Sequence, residues 1–147
     1  MSVYAKNKKA RFDYEILETI EAGLVLTGPE VKSIRTGNIK LTGGFITTHN
    51  NEAYLTNAHI SKYKYSNIKN YDPERSRKLL LSTKEINYLR GKSQERGLTI
   101  VPLSVYTKGR HIKIEIGVAR GKKKYDKRRV IKEREQKRET EREIKRN

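Results

Sequence analysis

The strongest constraint on the fold lies between Arg110 and Ala119. Ile112, Ile114, Ile116 and Val118 alternate with Lys113, Glu115 and Gly117, a period of two that puts apolar side chains on one face of a strand. The stretch before it, Leu98 to Tyr106, reads as a second strand, and Lys108-Gly109 supplies the turn between them. Earlier in the chain, Tyr14 to Ile20 and Leu24 to Leu26 read as two strands broken at Glu21-Ala22-Gly23, where glycine supplies a turn. Phe45 to Thr48 and Ala53 to Ile60 form a hairpin around His49-Asn50-Asn51-Glu52, because Asn tolerates left-handed turn geometry.

Two helices interrupt this pattern. Pro29 suits a first helical position, Glu30 favours the positive N-terminal end, and Gly37 can end the helix in a left-handed cap. Val31 and Ile34 share one face of this short helix, leaving Lys32 and Arg35 pointing elsewhere. Further on, Ser82-Thr83-Lys84-Glu85 fits a capping box, Ile86 and Leu89 face the core, and Gly97 closes the helix. Between them, Ser61 to Arg77 is polar, basic and tyrosine-containing (Tyr63, Tyr65, Tyr71), a long surface loop of the kind that carries function. Leu79 to Leu81 form a brief buried strand or helix approach. Some six short strands with links too short for parallel crossovers predict a small antiparallel barrel, a class that includes the oligonucleotide-binding type.

Charge decides the partner. The chain has 34 Lys and Arg against 17 acids, a net charge of +17. Residues 121–147 hold thirteen of those bases, six acids and almost nothing apolar. Such a segment cannot bury enough surface to offset the entropy lost on ordering, although its Glu and Lys spacing is helix-friendly. It is expected to be disordered alone and helical against an anionic partner. With no Trp and only two Phe, the apolar stripe of a membrane-surface helix is missing, so nucleic acid is favoured over a membrane. The predicted organisation is a basic lead-in at 1–12, a β-barrel RNA-binding domain at 13–120 and a basic tail at 121–147. The chain has no cysteine, no apolar run at its start and no 18-residue apolar stretch, which points to a cytoplasmic protein.

A search for catalytic chemistry finds little. His49, His59 and His111 are scattered without ligand spacing. Gly91-Lys92-Ser93 imitates the end of a phosphate-binding loop, but Ile86 stands where its first glycine should be and the run lies in a predicted helix. Glu15, Glu18 and Glu21 fall on alternating faces of a strand. No enzyme activity, cofactor or metal is expected. The informative basic residues are Arg75, Arg77 and Lys78, near Tyr71 as a stacking face, and Tyr125 amid the lysines of the tail.

Four stretches, in order, resemble the SsrA-binding protein (small protein B) family: NKKA at 7–10, GPEVKSIRTGN at 28–38, DPERSRKLLL at 72–81 and GVARGKKKYDKRRVIKERE at 117–135. The resemblance spans essentially the whole length. It implies an oligonucleotide-binding-type antiparallel barrel with flanking helices. It also implies binding to the tRNA-like domain of transfer-messenger RNA and delivery of that RNA to stalled bacterial ribosomes. Elongation factor Tu and alanyl-tRNA synthetase would be indirect partners through the RNA. By matching motifs, Asn7, Lys8, Glu30, Lys32, Ser33 and Arg35 are expected at the RNA, with Arg75, Arg77 and Lys78 as further contributors. Lys122, Lys123 and Lys124, leading into Tyr125, Asp126, Lys127 and Arg128, are expected at the ribosomal A site, in the decoding centre of the small subunit. The tail would continue from there into the empty mRNA channel. Glu30→Ala is then expected to weaken RNA binding with the melting temperature nearly unchanged, as for an exposed residue. Charge, barrel and tail taken alone also fit a ribosomal or ribosome-assembly protein whose tail threads ribosomal RNA; a small nuclease fits less well.

Overall fold

The computed structural model describes residues 2–122 and, in the tail, residues 132, 134–136 and 138. In chain order the elements are β1 (Val3–Lys6), α1 (Lys8–Asp13), β2 (Tyr14–Leu24), α2 (Gly28–Arg35), β3 (Ile39–Lys40), β4 (Phe45–His49), β5 (Glu52–Thr56), β6 (His59–Ile60), β7 (Arg77–Leu80), α3 (Thr83–Gln94), β8 (Leu98–Lys108) and β9 (His111–Gly121). Seven strands form one antiparallel sheet in the order β1-β8-β9-β2-β7-β5-β4, and β3 pairs with β6 in a small second sheet. The large sheet curls until β4 packs against β8, and β3 of the small sheet packs against β1. This is the expected antiparallel barrel of oligonucleotide-binding type, with α3 lying on β8 and β4.

The β8–β9 hairpin forms the backbone of the barrel, as its alternation predicts. Ile112, Ile114, Ile116 and Val118 point inward with Ile34, Leu55, Leu79 and Leu89 around them. At about 25 cal/mol per Å² of apolar surface removed from water, this inner face is the main driving force of the fold. The opposite face of the same strands is covered as well. Val101, Leu103 and Ala119 make a second cluster with Ala10 of α1, against which Tyr14 and Ile16 pack. Strand β8 reaches both layers because successive side chains face opposite ways, Ile100 inward and Val101 outward. Its register shifts between Pro102 and Ser104, and an irregularity of this kind is where a sheet accommodates proline. Gly117 marks the tightest part of the second layer. A Cβ there would lie 2.9 Å from Leu103 Cδ1 and 3.1 Å from Ile16 Cγ2.

The lead-in joins the barrel: β1 pairs with β8, and α1 sits on the sheet with Ala10 buried. Other expectations change. The two strands expected on either side of Glu21-Ala22-Gly23 are one, because Glu21, Ala22 and Gly23 continue the ladder against Glu115, Ile114 and Lys113. Gly23 serves close approach rather than a turn, since its Cβ would meet Leu80 at 3.2 Å. The Asn50-Asn51 turn has the positive φ angles expected of it, 49° and 60°. The strand after it stops at Thr56, where Asn57 (φ 62°) redirects the chain so that His59–Ile60 pairs with β3 instead.

Candidate nucleic-acid interface

The surface around α2 is set by a carboxylate held inside the protein. Thr27 caps the helix. Its Oγ1 accepts the Glu30 N–H at 3.3 Å, and Glu30 Oε1 accepts the Thr27 N–H at 3.0 Å. This reciprocal pair curls the Glu30 side chain back over the helix start, where it is 1% exposed. Two arginines converge on it. Arg77, from β7, donates from Nε to Oε2 at 2.8 Å and brings a terminal nitrogen to 2.7 Å of the same oxygen. Arg75 forks onto both oxygens, with Nε 3.2 Å from Oε2 and a terminal nitrogen on Oε1.

The other donors of Arg77 are also met. One terminal nitrogen donates to the Ala58 carbonyl at 2.9 Å and the other to the Tyr71 hydroxyl at 2.9 Å. That hydroxyl lies 2.8 Å from the Ile60 carbonyl and 3.2 Å from Glu30 Oε2, so its single proton favours Ile60. Burying ions is expensive unless each is paired and hydrogen-bonded. Burial alone pushes the Glu30 pKa up, but the Arg75 hydrogen bonds, the Thr27 N–H and Arg77 outweigh it and hold it at about 2 against 4.5. The acid is therefore ionised at any physiological pH. One carboxylate faces two guanidiniums, and Arg75, whose side chain is 35% exposed, carries the surplus positive charge toward solvent.

Helix α2 holds the long loop at a second point. Ser33, fully buried, donates from Oγ to the Ser61 carbonyl at 2.6 Å, and the Ser61 N–H donates to the Asn38 carbonyl at 3.1 Å. Loop 61–76 is thus fastened by Ser33 near its start and by the Glu30 cluster at Tyr71 and Arg75. On the other side of the barrel, Asn7 caps α1. Its side-chain oxygen accepts the Ala10 N–H at 3.1 Å, and Nδ2 donates to the Pro102 carbonyl at 2.9 Å and the Leu41 carbonyl at 3.4 Å.

Asn7, Glu30, Ser33 and Arg77 are the buried polar side chains among the described residues, and all four were expected to touch RNA. They are buried in the free chain instead of lying open at the surface, and there they fix the elements that display charge. This burial overturns the exposed-residue view of Glu30→Ala, which removes the counterion of a buried arginine. The exposed members of the set are Lys8 on α1, Lys32 and Arg35 on α2, and Lys78 on β7. Lys32 Nζ lies 5.6 Å from the centroid of the Tyr63 ring. Arg35 donates to the Arg110 carbonyl at 3.3 Å, and Lys78 pairs with Glu52 at 2.9 Å. Arg75, Arg77 and Lys78 do not form one cluster, because neighbouring strand residues face opposite ways and Arg77 points in where Lys78 points out. Tyr71 is half-buried with its hydroxyl in the Glu30 cluster, so it is no open stacking face. Thr27, three residues before Glu30, was the overlooked signal for the inward turn of the acid.

Lys122 leaves the barrel tied to α1, its N–H donating to the Asp13 carbonyl at 2.9 Å and its Nζ to the Arg11 carbonyl at 3.3 Å. Lys123, Lys124, Tyr125, Asp126, Lys127 and Arg128 lie outside the described residues. Of the described tail positions, Arg134 places its guanidinium 5.9 Å from the centroid of the Phe12 ring. Among the described residues no group of His, Asp and Glu is arranged to hold a metal ion, and no helix is long and apolar enough to cross a membrane.

A curled antiparallel sheet, an internal acid–arginine cluster and cations displayed around it define a class: small basic barrels of oligonucleotide-binding type. Within that class the chain belongs to the SmpB protein family, whose family model matches residues 4–146. It is 55% identical to the SsrA-binding protein of Leuconostoc mesenteroides over 141 residues, covering 96% of this chain and 92% of that protein. Against the SsrA-binding protein of Lactobacillus acidophilus it is 56% identical over 138 residues, with coverage of 94% and 91%. A solved chain described under "tmRNA-SmpB: a journey to the center of the bacterial ribosome" superposes with a TM-score of 0.70 at 47% identity, covering 84% of this chain and 87% of that one.

Proposed function

We propose that this chain binds SsrA, the transfer-messenger RNA, through its barrel and carries it to stalled bacterial ribosomes for trans-translation. The observation that carries this reading is the similarity to SsrA-binding proteins over nearly the whole chain, tail included. The geometry supplies a physical basis. The Glu30 cluster and Ser33 hold α2 and loop 61–76 rigidly, so that Lys32, Arg35 and Arg75 stand ready to meet phosphates without further ordering. Lys8 on α1 is a separate cation, next to the exit of the tail at Lys122. The barrel holds one RNA while the tail, with Tyr125 through Arg128, enters the decoding centre and empty message channel of the ribosome. Elongation factor Tu and alanyl-tRNA synthetase act with the complex through the RNA, in the cytoplasm.

The test separates phosphate contacts from fold. Lys32→Ala and Arg35→Ala remove exposed charges, so melting temperatures should stay within about 1–2 °C of wild type. Binding to a transcript of the tRNA-like domain, followed by fluorescence anisotropy across a salt series, should weaken for each. The slope of log Kd against log salt should fall by roughly one unit per lost phosphate contact. Unchanged slopes for both would place the RNA elsewhere.

A further inference from the structure

We infer that the turn at Tyr63–Ser66 is a stacking site for one unpaired base of the RNA held at α2, with Tyr65 as the platform. The inference rests on the RNA-binding reading above and specifies a subsite within it. Residues 61–70 contain three lysines, two tyrosines and no acid, a composition that attracts a polyanion and offers it planar faces. The turn is closed by the Ser66 N–H on the Tyr63 carbonyl at 3.0 Å and is steadied by the Ile68 N–H on Ser66 Oγ at 3.2 Å. It is anchored to α2 by the Ser33–Ser61 bond described above.

On this small frame the two rings meet edge to face, centroids 5.6 Å apart at 70°. Tyr65 is nevertheless 72% exposed. A ring that open contributes little to the core, yet its contact with Tyr63 limits how far it can swing. A side chain with two rotatable bonds, already oriented, loses little entropy when a base lands on it.

The cations are distributed to match. Lys32, on α2, and Lys64, within the turn, each bring Nζ to 5.6 Å of a ring, Tyr63 and Tyr65 respectively. A solvent-exposed ammonium–ring contact is weak, and weaker than the stacking of a base on an aromatic ring. A base can therefore replace Lys64 at the Tyr65 face, and the released ammonium is then free to pair with a backbone phosphate. The shared Lys32 makes the turn continuous with the α2 cations. Three lysines without an acid also argue against a protein partner, whose surface would present mixed charge. Stacking is indifferent to base identity, so the site would select an unstacked nucleotide rather than a sequence.

The test titrates full-length wild type, Tyr65→Ala, Tyr65→Leu and Tyr65→Phe against a labelled transcript of the tRNA-like domain, with salt varied. Ala and Leu should weaken binding by roughly tenfold, and Phe, which keeps the ring, should stay within about twofold of wild type. The salt slope should be the same for all four because no charge is lost, and melting temperatures should coincide. Ala and Leu variants that bind like wild type, while Lys32→Ala is still impaired, would remove the stacking site and leave the RNA-binding reading intact. A Phe variant as weak as Ala would show that the hydroxyl matters and overturn stacking. A wild-type chain that binds the transcript no better than an unrelated RNA of equal length would overturn both readings.

Discussion

Arg77→Ala should lower folding stability by about 3–5 kcal/mol, because it leaves the Glu30 carboxylate buried with only Arg75 beside it. For a chain of this size that is a fall in melting temperature of roughly 10 °C or more. Glu30→Gln attacks the same cluster from the acid side, leaving the fully buried Arg77 guanidinium without its counterion. The pH dependence follows from the Glu30 carboxyl at about 2, below its ordinary 4.5. A carboxylate whose folded pKa is depressed stabilises the fold above its unfolded pKa and loses that contribution as pH falls through the folded one. Wild type should therefore shed about 3 kcal/mol between roughly pH 4.5 and pH 2 through this group. Glu30→Gln should start lower at neutral pH and be flatter across that window. Thermal melts of both chains from pH 7 to pH 2.5 make the comparison. Coincident curves would mean that the cluster contributes little to the fold. Because Arg75 and Tyr71 fasten loop 61–76 to Glu30, both variants should also bind RNA more weakly at temperatures where they remain folded.

Truncation after Lys122 should leave RNA binding within about threefold of wild type and reduce tagging on stalled ribosomes to background. The last strand ends at Gly121, and the Lys122 N–H to Asp13 bond survives the cut. The Arg134–Phe12 contact that is lost is worth about 0.5–1 kcal/mol at an exposed site, too little to unfold a barrel with two apolar layers. Conversely, a tail carrying +7 with three large aliphatic residues has its free energy to gain on the ribosome, where ordered RNA neutralises it. Peptide tagging in a reconstituted translation system, run beside an RNA-binding titration, reads both outcomes. Equal loss of tagging and RNA binding would refute the division between barrel and tail.

Local chemistry made much of this fold legible. The alternation from Ile112 to Val118, the Asn50-Asn51 turn and the Ser82–Glu85 capping box each state their structure within a few residues, and each appears as expected. Helix α1 was hidden because it is six residues long and buries only Ala10, so it has no apolar period to detect. The continuity of β2 was hidden because a glycine needed for close approach looks the same in sequence as one needed for a turn. The largest misreading concerned Glu30 and Arg77. They lie 47 residues apart and are both charged, and charge in a sequence is read by default as solvent exposure. Within the motifs, Asn7, Glu30, Ser33 and Arg77 are buried and position the surface from inside.

The most direct measurement is the identity of the RNA this chain retains. Full-length protein captured from a bacterial lysate, with its bound RNA sequenced, should return one small RNA bearing a tRNA-like domain, enriched at least tenfold over ribosomal RNA. The chain truncated after Lys122 should return the same RNA. Recovery of ribosomal RNA in proportion to its abundance, with no such enrichment, would contradict a barrel dedicated to SsrA and favour a protein of the ribosome itself.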